Sequence, residues 1–347
     1  MELQIWMGRA GAGKSRRVLE TMQERRQRPQ ILLVPEHASH EAELDLCRAL
    51  GPTASRDAEV LSFRNLATRV LAQTGGLADV TLDAGGKLLT MRRALQEVSS
   101  RLTVFARPSQ RPAFLRQLVA LADELYAYQV TPEMLLAQVA DMEGAAGDKL
   151  RSAALIYGAY DAHLRGEGFD ARSRVQKLCD ALPESDYLMG KDVYVDGFSY
   201  FNRVEEDILE TALRQGNCLT VTLLGDESDP QLFQNALRQR DRLKRMAALV
   251  HARCEVETLV SKNDGPLGYL ERCFFDGEEP WQGEEPPIRL YQAETAFSEA
   301  EYVSACVRRL ARQGCRWRDI GVAARNMEVY GPLLEAVFRR DGIPAYI

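Results

Sequence analysis

Eight residues near the start of the chain, Gly8-Arg9-Ala10-Gly11-Ala12-Gly13-Lys14-Ser15, carry the spacing Gly, four residues, Gly-Lys-Ser. The spacing suits a phosphate chain. Glycines let successive backbone N–H groups turn inward on an anion, a lysine reaches the terminal phosphates, and a serine hydroxyl ligates Mg²⁺. Gly8, Arg9, Ala10, Gly11, Ala12, Gly13, Lys14 and Ser15 are therefore candidate nucleotide-binding positions, with ATP and Mg²⁺ as the implied ligands. The alternative is a glycine turn that only resembles a phosphate loop. The flanks favour the phosphate loop, because an apolar strand pattern (Leu3 to Met7) precedes it and an amphipathic helix pattern (Arg16 to Gln27) follows. A helix opening at Lys14 adds the partial positive charge of its N-terminus to the same anion site.

Hydrolysis of a nucleotide needs a second element: a strand-ending carboxylate for Mg²⁺, usually with a glutamate beside it to activate water. The run Asp192-Val193-Tyr194-Val195-Asp196 supplies the first carboxylate, so Ser15 and Asp196 are the candidate Mg²⁺ ligands. Gly197-Phe198-Ser199-Tyr200 follows, and the second carboxylate is missing. Glu205 and Glu206 lie further on, where a turn and a helix aim them elsewhere. A strand-terminal aspartate can also simply cap the next turn. The pair of motifs predicts binding of Mg-ATP without rapid hydrolysis, and no catalytic residue is assigned.

The elements that must position these groups read as α/β. Ile31 to Val34 and Glu59 to Phe63 continue the strand-helix alternation begun by the first strand, which predicts a parallel sheet wound with helices. From Asp83 to about Pro183 the periodicity becomes helical, with stripes at Leu88, Met91, Leu95 and Val98, at Phe114, Leu118, Leu121 and Leu125, and at Leu155, Tyr157, Tyr160 and Leu164. These are core stripes of a helical insertion. Strands return at Asp192 to Asp196, Leu219 to Leu224 and Val256 to Val260. Arg238, Arg240, Arg242, Lys244 and Arg245 form the densest basic run, read as a solvated helix face or a phosphate-contacting surface. Asp276 to Pro287, acidic and broken by glycine and proline, reads as a linker. Further strands are predicted at Ile288 to Tyr291, Ile320 to Ala324 and Ile343 to Ile347. The last has no closing partner, so the 347 residues read as part of a longer chain. The expected division is 1–84 and 186–275 for the sheet-bearing domain, 85–185 for the insertion, 276–287 for the linker and 288–347 for a second sheet-forming segment.

An apolar fraction of 46% excludes a mostly disordered protein, and a net charge of −6 argues against indiscriminate coating of nucleic acid. Seven scattered cysteines without a C-x-x-C pair, and four scattered histidines, indicate reduced thiols rather than a zinc site. No run reaches membrane-spanning length and no secretory signal opens the chain, so the expected location is cytoplasmic, with no membrane partner.

The block Gly8 to Ser15, the stretch Leu33-Val34-Pro35-Glu36-His37, the stretch Val60-Leu61-Ser62-Phe63-Arg64-Asn65-Leu66-Ala67, Lys149-Leu150, Tyr194-Val195-Asp196-Gly197-Phe198 and the closing Gly342-Ile343-Pro344 together resemble the AddB family. That family contributes one of the two chains of the bacterial AddAB helicase-nuclease. The resemblance runs from end to end, and the order of the blocks is more specific than any one of them. It implies a RecA-like P-loop domain with a parallel sheet, a large all-helical insertion and the beginning of a second RecA-like domain.

It also implies a role in processing DNA double-strand-break ends for recombination, in a heterodimer with AddA, with double-strand ends and single-stranded DNA as partners. In that complex AddA looks like the working motor, and the helicase-like part of AddB is associated with recognition of the sequence Chi. The family's nuclease domain and iron-sulfur cluster are expected only in its C-terminal region and are assigned to no residue here. Active relatives read Asp-Glu where this chain reads Asp196-Gly197. They carry a glutamine motif upstream of the P-loop and an arginine near the start of the second domain, where Gln292-Ala293-Glu294-Thr295 has none. The departures imply an inactivated motor that keeps its nucleotide pocket; the alternative is a catalytically active superfamily 1 helicase using another base. Single-stranded DNA in such motors crosses loops corresponding to Pro35 to Ala38 and Ser62 to Arg64. Phe63 is thus a candidate for base stacking, or else buried beneath a helix, and Arg64 a candidate for a phosphate.

Overall fold

The computed structural model describes residues 1–51, 53–75, 82–102, 104–105, 111–140, 142–166, 174–260, 265–274, 280–284 and 288–346. Six strands, β1 (Glu2–Gly8), β2 (Gln30–Leu33), β3 (Ala58–Leu61), β4 (Asp192–Val195), β5 (Cys218–Leu224) and β6 (Arg253–Leu259), form one sheet in the order β3-β2-β4-β5-β1-β6. Every neighbouring pair is parallel. The inner strands are apolar on both faces because helices cover both, as a parallel sheet requires.

On one face Leu3, Ile5, Met7, Ile31, Leu33, Val193, Val195, Leu219 and Val221 pack against helices α4 (Phe63–Thr74), α9 (Arg174–Ala181), α10 (Arg203–Gln215) and α11 (Gln234–Leu249). On the other, Trp6, Leu32, Val34 and Tyr194 meet α1 (Lys14–Glu24), α2 (Ser39–Leu50) and the single turn α3 (Ala54–Asp57). The crossovers leave β1 between β5 and β6 although β2 follows it in sequence. Such a reversal of strand order opens a crevice at the carboxyl ends of the strands.

Between β3 and β4 the chain builds a helical layer from α5 (Ala84–Val98), α6 (Pro112–Ala127), α7 (Pro132–Val139) and α8 (Gly144–Gly166). Met91, Leu95, Leu118, Ile156, Tyr157 and Tyr160 form its core. Tyr126 donates to Asp161 at 2.7 Å and Tyr157 to the carbonyl of Val130 at 2.9 Å, so both hydroxyls are satisfied within the layer. Helix α9 follows in sequence but packs into the sheet core through Leu178. The result is a RecA-like α/β fold with a helical insertion.

The chain divides into two compact units, Met1–Arg272 and Cys273–Ile347. Helix α12 (Pro266–Cys273) closes the first. In the second, α13 (Ala296–Arg312) and α14 (Met327–Arg340) pack through Ala300, Val307, Leu334, Val337 and Phe338. The strands expected at Ile288 to Tyr291, Ile320 to Ala324 and Ile343 to Ile347 are absent among the described residues. A strand needs a neighbour to take its N–H and C=O groups. Leu290 is fully exposed, whereas Ile343 joins the helix-pair core. Ile347, Gly76, and Asp276, Gly277, Pro286 and Pro287 of the predicted linker lie outside the described residues. No helix among the described residues is long and apolar enough to cross a membrane.

Candidate functional site

The phosphate-loop sequence leaves the carboxyl end of β1 and runs into α1. A Cβ at Gly8 would sit 2.7 Å from the carbonyl oxygen of Leu259 and 2.9 Å from Cβ of Ala12, so only glycine lets β6 and the loop close on β1. Gly11 and Gly13 take φ of 75° and 83°, and Gly13 is the N-cap of α1. Ser15 is exposed in the first turn of that helix.

Lys14 folds back on the loop. Its Nζ donates to the carbonyl oxygens of Gly8 (2.7 Å) and Arg9 (2.9 Å). Burial lowers its pKa from the usual lysine range, and the charges of Asp196 and Glu271 oppose that shift. The Gly8 carbonyl also accepts from the Gly225 N–H at 3.2 Å, which ties the loop to the end of β5. Arg9 donates through Nε to Asp226 at 2.7 Å and through Nη1 to Glu271 at 3.4 Å, with its guanidinium 5.2 Å from the centre of the Phe233 ring. Its hydrogen bond to Asp226 raises its pKa further. Desolvation pushes the Asp226 carboxyl upward, but the Ser228 N–H and Arg9 together hold it below its ordinary value.

Asp196 stands just past β4, its N–H donating to the Leu33 carbonyl at 2.9 Å. The Thr222 hydroxyl, on the adjacent strand β5, donates to its carboxylate. In the next position Gly197 adopts φ of 81°, and a Cβ there would lie 3.4 Å from Cδ of Pro35. The backbone at 197 is thus one that a glutamate would enter only under strain. Glu205 and Glu206 are used elsewhere: Glu205 accepts from the Asn202 N–H in the capping box of α10, and Glu206 accepts from Gln239 and Arg242. Among the described residues no three His, Cys, Asp or Glu side chains gather as a metal cluster. Ser15 and Asp196 fit Mg²⁺, a hard cation that keeps waters and phosphate oxygens for most of its shell.

Phe63 is not in an open loop. It is the first residue of α4, which Ser62 caps by accepting from the Asn65 N–H, and it is only 5% exposed, edge-on to Phe198 at 5.3 Å. Its ring is therefore core, as burial beneath a helix predicts, and presents no face to a base. Arg64 is exposed and pairs with Glu36 at 3.3 Å. The exposed aromatic of this edge is Tyr200, 67% exposed between the anchored rings of Phe198 and Phe201. On α11, Arg240 pairs with Glu227 and Asp241, and Arg242 with Glu206.

The sequence profile of the family described as ADDB, N-terminal, matches residues 5–270. The chain belongs to the AddB family. Among relatives, the AddB-type ATP-dependent helicase/deoxyribonuclease chain of Geobacillus thermodenitrificans is 30% identical over all of this chain. The proteins of the same name from Desulforudis audaxviator and Symbiobacterium thermophilum are 33% and 31% identical over 100% and 98% of it. In each case the chain spans 32% of the relative's length.

Three residues around this candidate site escape a reading of local sequence, and a fourth does not. Thr222, Asp226 and Glu271 are joined to Asp196 and Arg9 only by the fold, 26, 217 and 262 positions away in sequence. Tyr200 carries a usable signal: an aromatic shortly after a strand-ending Asp-Gly, between two phenylalanines that the core would claim.

Proposed function

We propose that this chain is the helicase-like part of an AddB protein that works with AddA as a heterodimer on DNA double-strand ends in the cytoplasm. It holds ATP at Gly8 to Ser15, with Mg²⁺ on Ser15 and Asp196, and hydrolyses it weakly or not at all. Bound Mg²⁺ would draw charge from the phosphates; the chain's own residues supply the cradle, the lysine and the metal oxygens.

The observation that carries this reading is the backbone at Gly197. The site's metal carboxylate is followed by a left-handed glycine against Pro35, where active relatives place a glutamate. The other carboxylates around the loop make poor substitutes. Asp226 and Glu271 are paired with Arg9, and an acid held below its usual pKa, as Asp226 is, makes a weak general base. This weighs against the alternative of an active superfamily 1 helicase.

The tips of β2, β3 and β4 form the proposed path for single-stranded DNA, including a contribution to Chi recognition. Tyr200 offers a stacking face and Arg64 a phosphate contact. Cytoplasmic work is supported by seven free cysteines. Equilibrium titration with labelled ATP tests the nucleotide part. Mg²⁺ is expected to tighten binding to the wild-type chain but not to Asp196→Ala; a wild-type chain that binds no ATP with Mg²⁺ present overturns the reading.

A further inference from the structure

Arg9 is held at both ends by groups that a phosphate would displace. Its carbonyl oxygen accepts from Lys14 Nζ at 2.9 Å and from the Ala12 N–H at 3.2 Å. Its guanidinium bridges Asp226, in the loop after β5, and Glu271, on α12. All three side chains are largely buried, with exposures of 14%, 23% and 28%, so the pairs are shielded from the screening that weakens surface ion pairs.

A triphosphate in the loop competes with this arrangement. Lys14 Nζ has three N–H donors, two of them on the carbonyls of Gly8 and Arg9, and phosphate oxygens take the third and compete for the other two, which loosens the backbone of residue 9. The anion attracts the guanidinium, whose planar fork suits phosphate, and repels the two carboxylates. The contacts are unequal. Asp226 lies at 2.7 Å and is steadied by the Ser228 N–H at 2.9 Å, whereas Glu271 lies at 3.4 Å. The Glu271 contact is the one to break. The contact lies on a short helix, as α12 has eight residues.

We infer that Arg9 is a nucleotide-operated latch: in the free chain it fastens α12 to the phosphate loop through Glu271, and phosphate binding turns it toward the ligand and releases α12. The inference rests on nucleotide binding at Gly8 to Ser15. It gives a nucleotide-binding protein with little turnover a use for occupancy itself, since α12 is the last helix of the sheet-bearing unit and the chain runs from it toward residues 274–347. Coupling of this kind is reciprocal, so whatever loosens α12 also favours the nucleotide.

Hydrogen–deuterium exchange of the 347-residue chain, read on the amides of α12, tests the latch beside a parallel titration with labelled ATP. Saturating Mg-ATP, or a non-hydrolysable analogue, is expected to speed α12 exchange about 5-fold or more in the wild type. In Glu271→Gln, α12 should exchange fast without nucleotide and respond no further, and Mg-ATP should bind about 3-fold more tightly. Asp226→Asn, which spares Glu271, should keep the α12 response. A wild-type chain that binds Mg-ATP without change in α12, or a Glu271→Gln chain that still responds, overturns the latch alone. A wild-type chain that binds no Mg-ATP overturns the nucleotide reading and the latch with it.

Discussion

At the β1–β5 corner of the sheet's carboxyl edge the charged groups around the phosphate loop answer one another: Lys14 is bonded to two carbonyls, and Arg9 to two carboxylates. The β2–β4 corner differs. Phe63, Phe198 and Phe201 form an aromatic cluster, Tyr200 is exposed, and the exposed Arg64 is paired with Glu36. A ligand at the first corner competes with internal bonds, so its net gain is the difference between two sets of similar interactions. A ligand at the second meets the exposed Tyr200 ring already presented and exchanges only the solvent-exposed Arg64–Glu36 pair, so stacking there costs little reorganisation. On the proposed reading, the same sheet edge combines a conditional nucleotide site with a standing surface for DNA.

Substitutions that break one corner should leave the other. The largest effect is expected from Phe63→Ala, which removes a buried ring and should cost about 3–5 kcal/mol of stability in a denaturant titration. An effect below about 1 kcal/mol would mean that the ring is not core. Lys14→Ala should cost about 1.5–3 kcal/mol of Mg-ATP affinity, the range of charge-assisted hydrogen bonds, while single-stranded DNA affinity holds. Equal loss of both ligands would merge the two corners into one site. Tyr200→Ala should weaken single-stranded DNA binding by about 1–3 kcal/mol and leave stability within about 0.5 kcal/mol, as an exposed stacking residue does. For Arg64→Ala the expected change is smaller and shows as a salt slope reduced by about 0.7, one phosphate on a single strand.

Proton linkage sharpens the contrast further. Burial depresses Lys14 in the free chain below the ordinary lysine value of 10.5, and a bound phosphate would raise it again. Binding should therefore take up a proton as pH rises into the window above the depressed value, and ATP affinity should fall across that window. Calorimetry in two buffers of different ionisation heat reads the uptake. Proton release would reverse the assignment.

The inner strands and the phosphate loop are legible in sequence because buried parallel strands are apolar throughout and glycine spacing is local. The insertion is legible for the same reason: Met91, Leu95 and Val98 share a helical stripe that is indeed core. Ile288 to Tyr291 shows the limit, since an apolar run becomes a strand only where a neighbour pairs with it. Phe63 is ambiguous in sequence because Ser62 reads equally as a strand end or a helix cap. Arg9 shows a different limit, as its two carboxylates reach it only through the tertiary fold.

A nucleotide pocket without an effective motor is tested by steady-state ATP turnover of the 347-residue chain, with and without single-stranded DNA. Saturable Mg-ATP binding is expected, with turnover that DNA does not stimulate and that Lys14→Ala does not measurably lower. DNA-stimulated hydrolysis that disappears in Lys14→Ala would mean that the chain is a working motor.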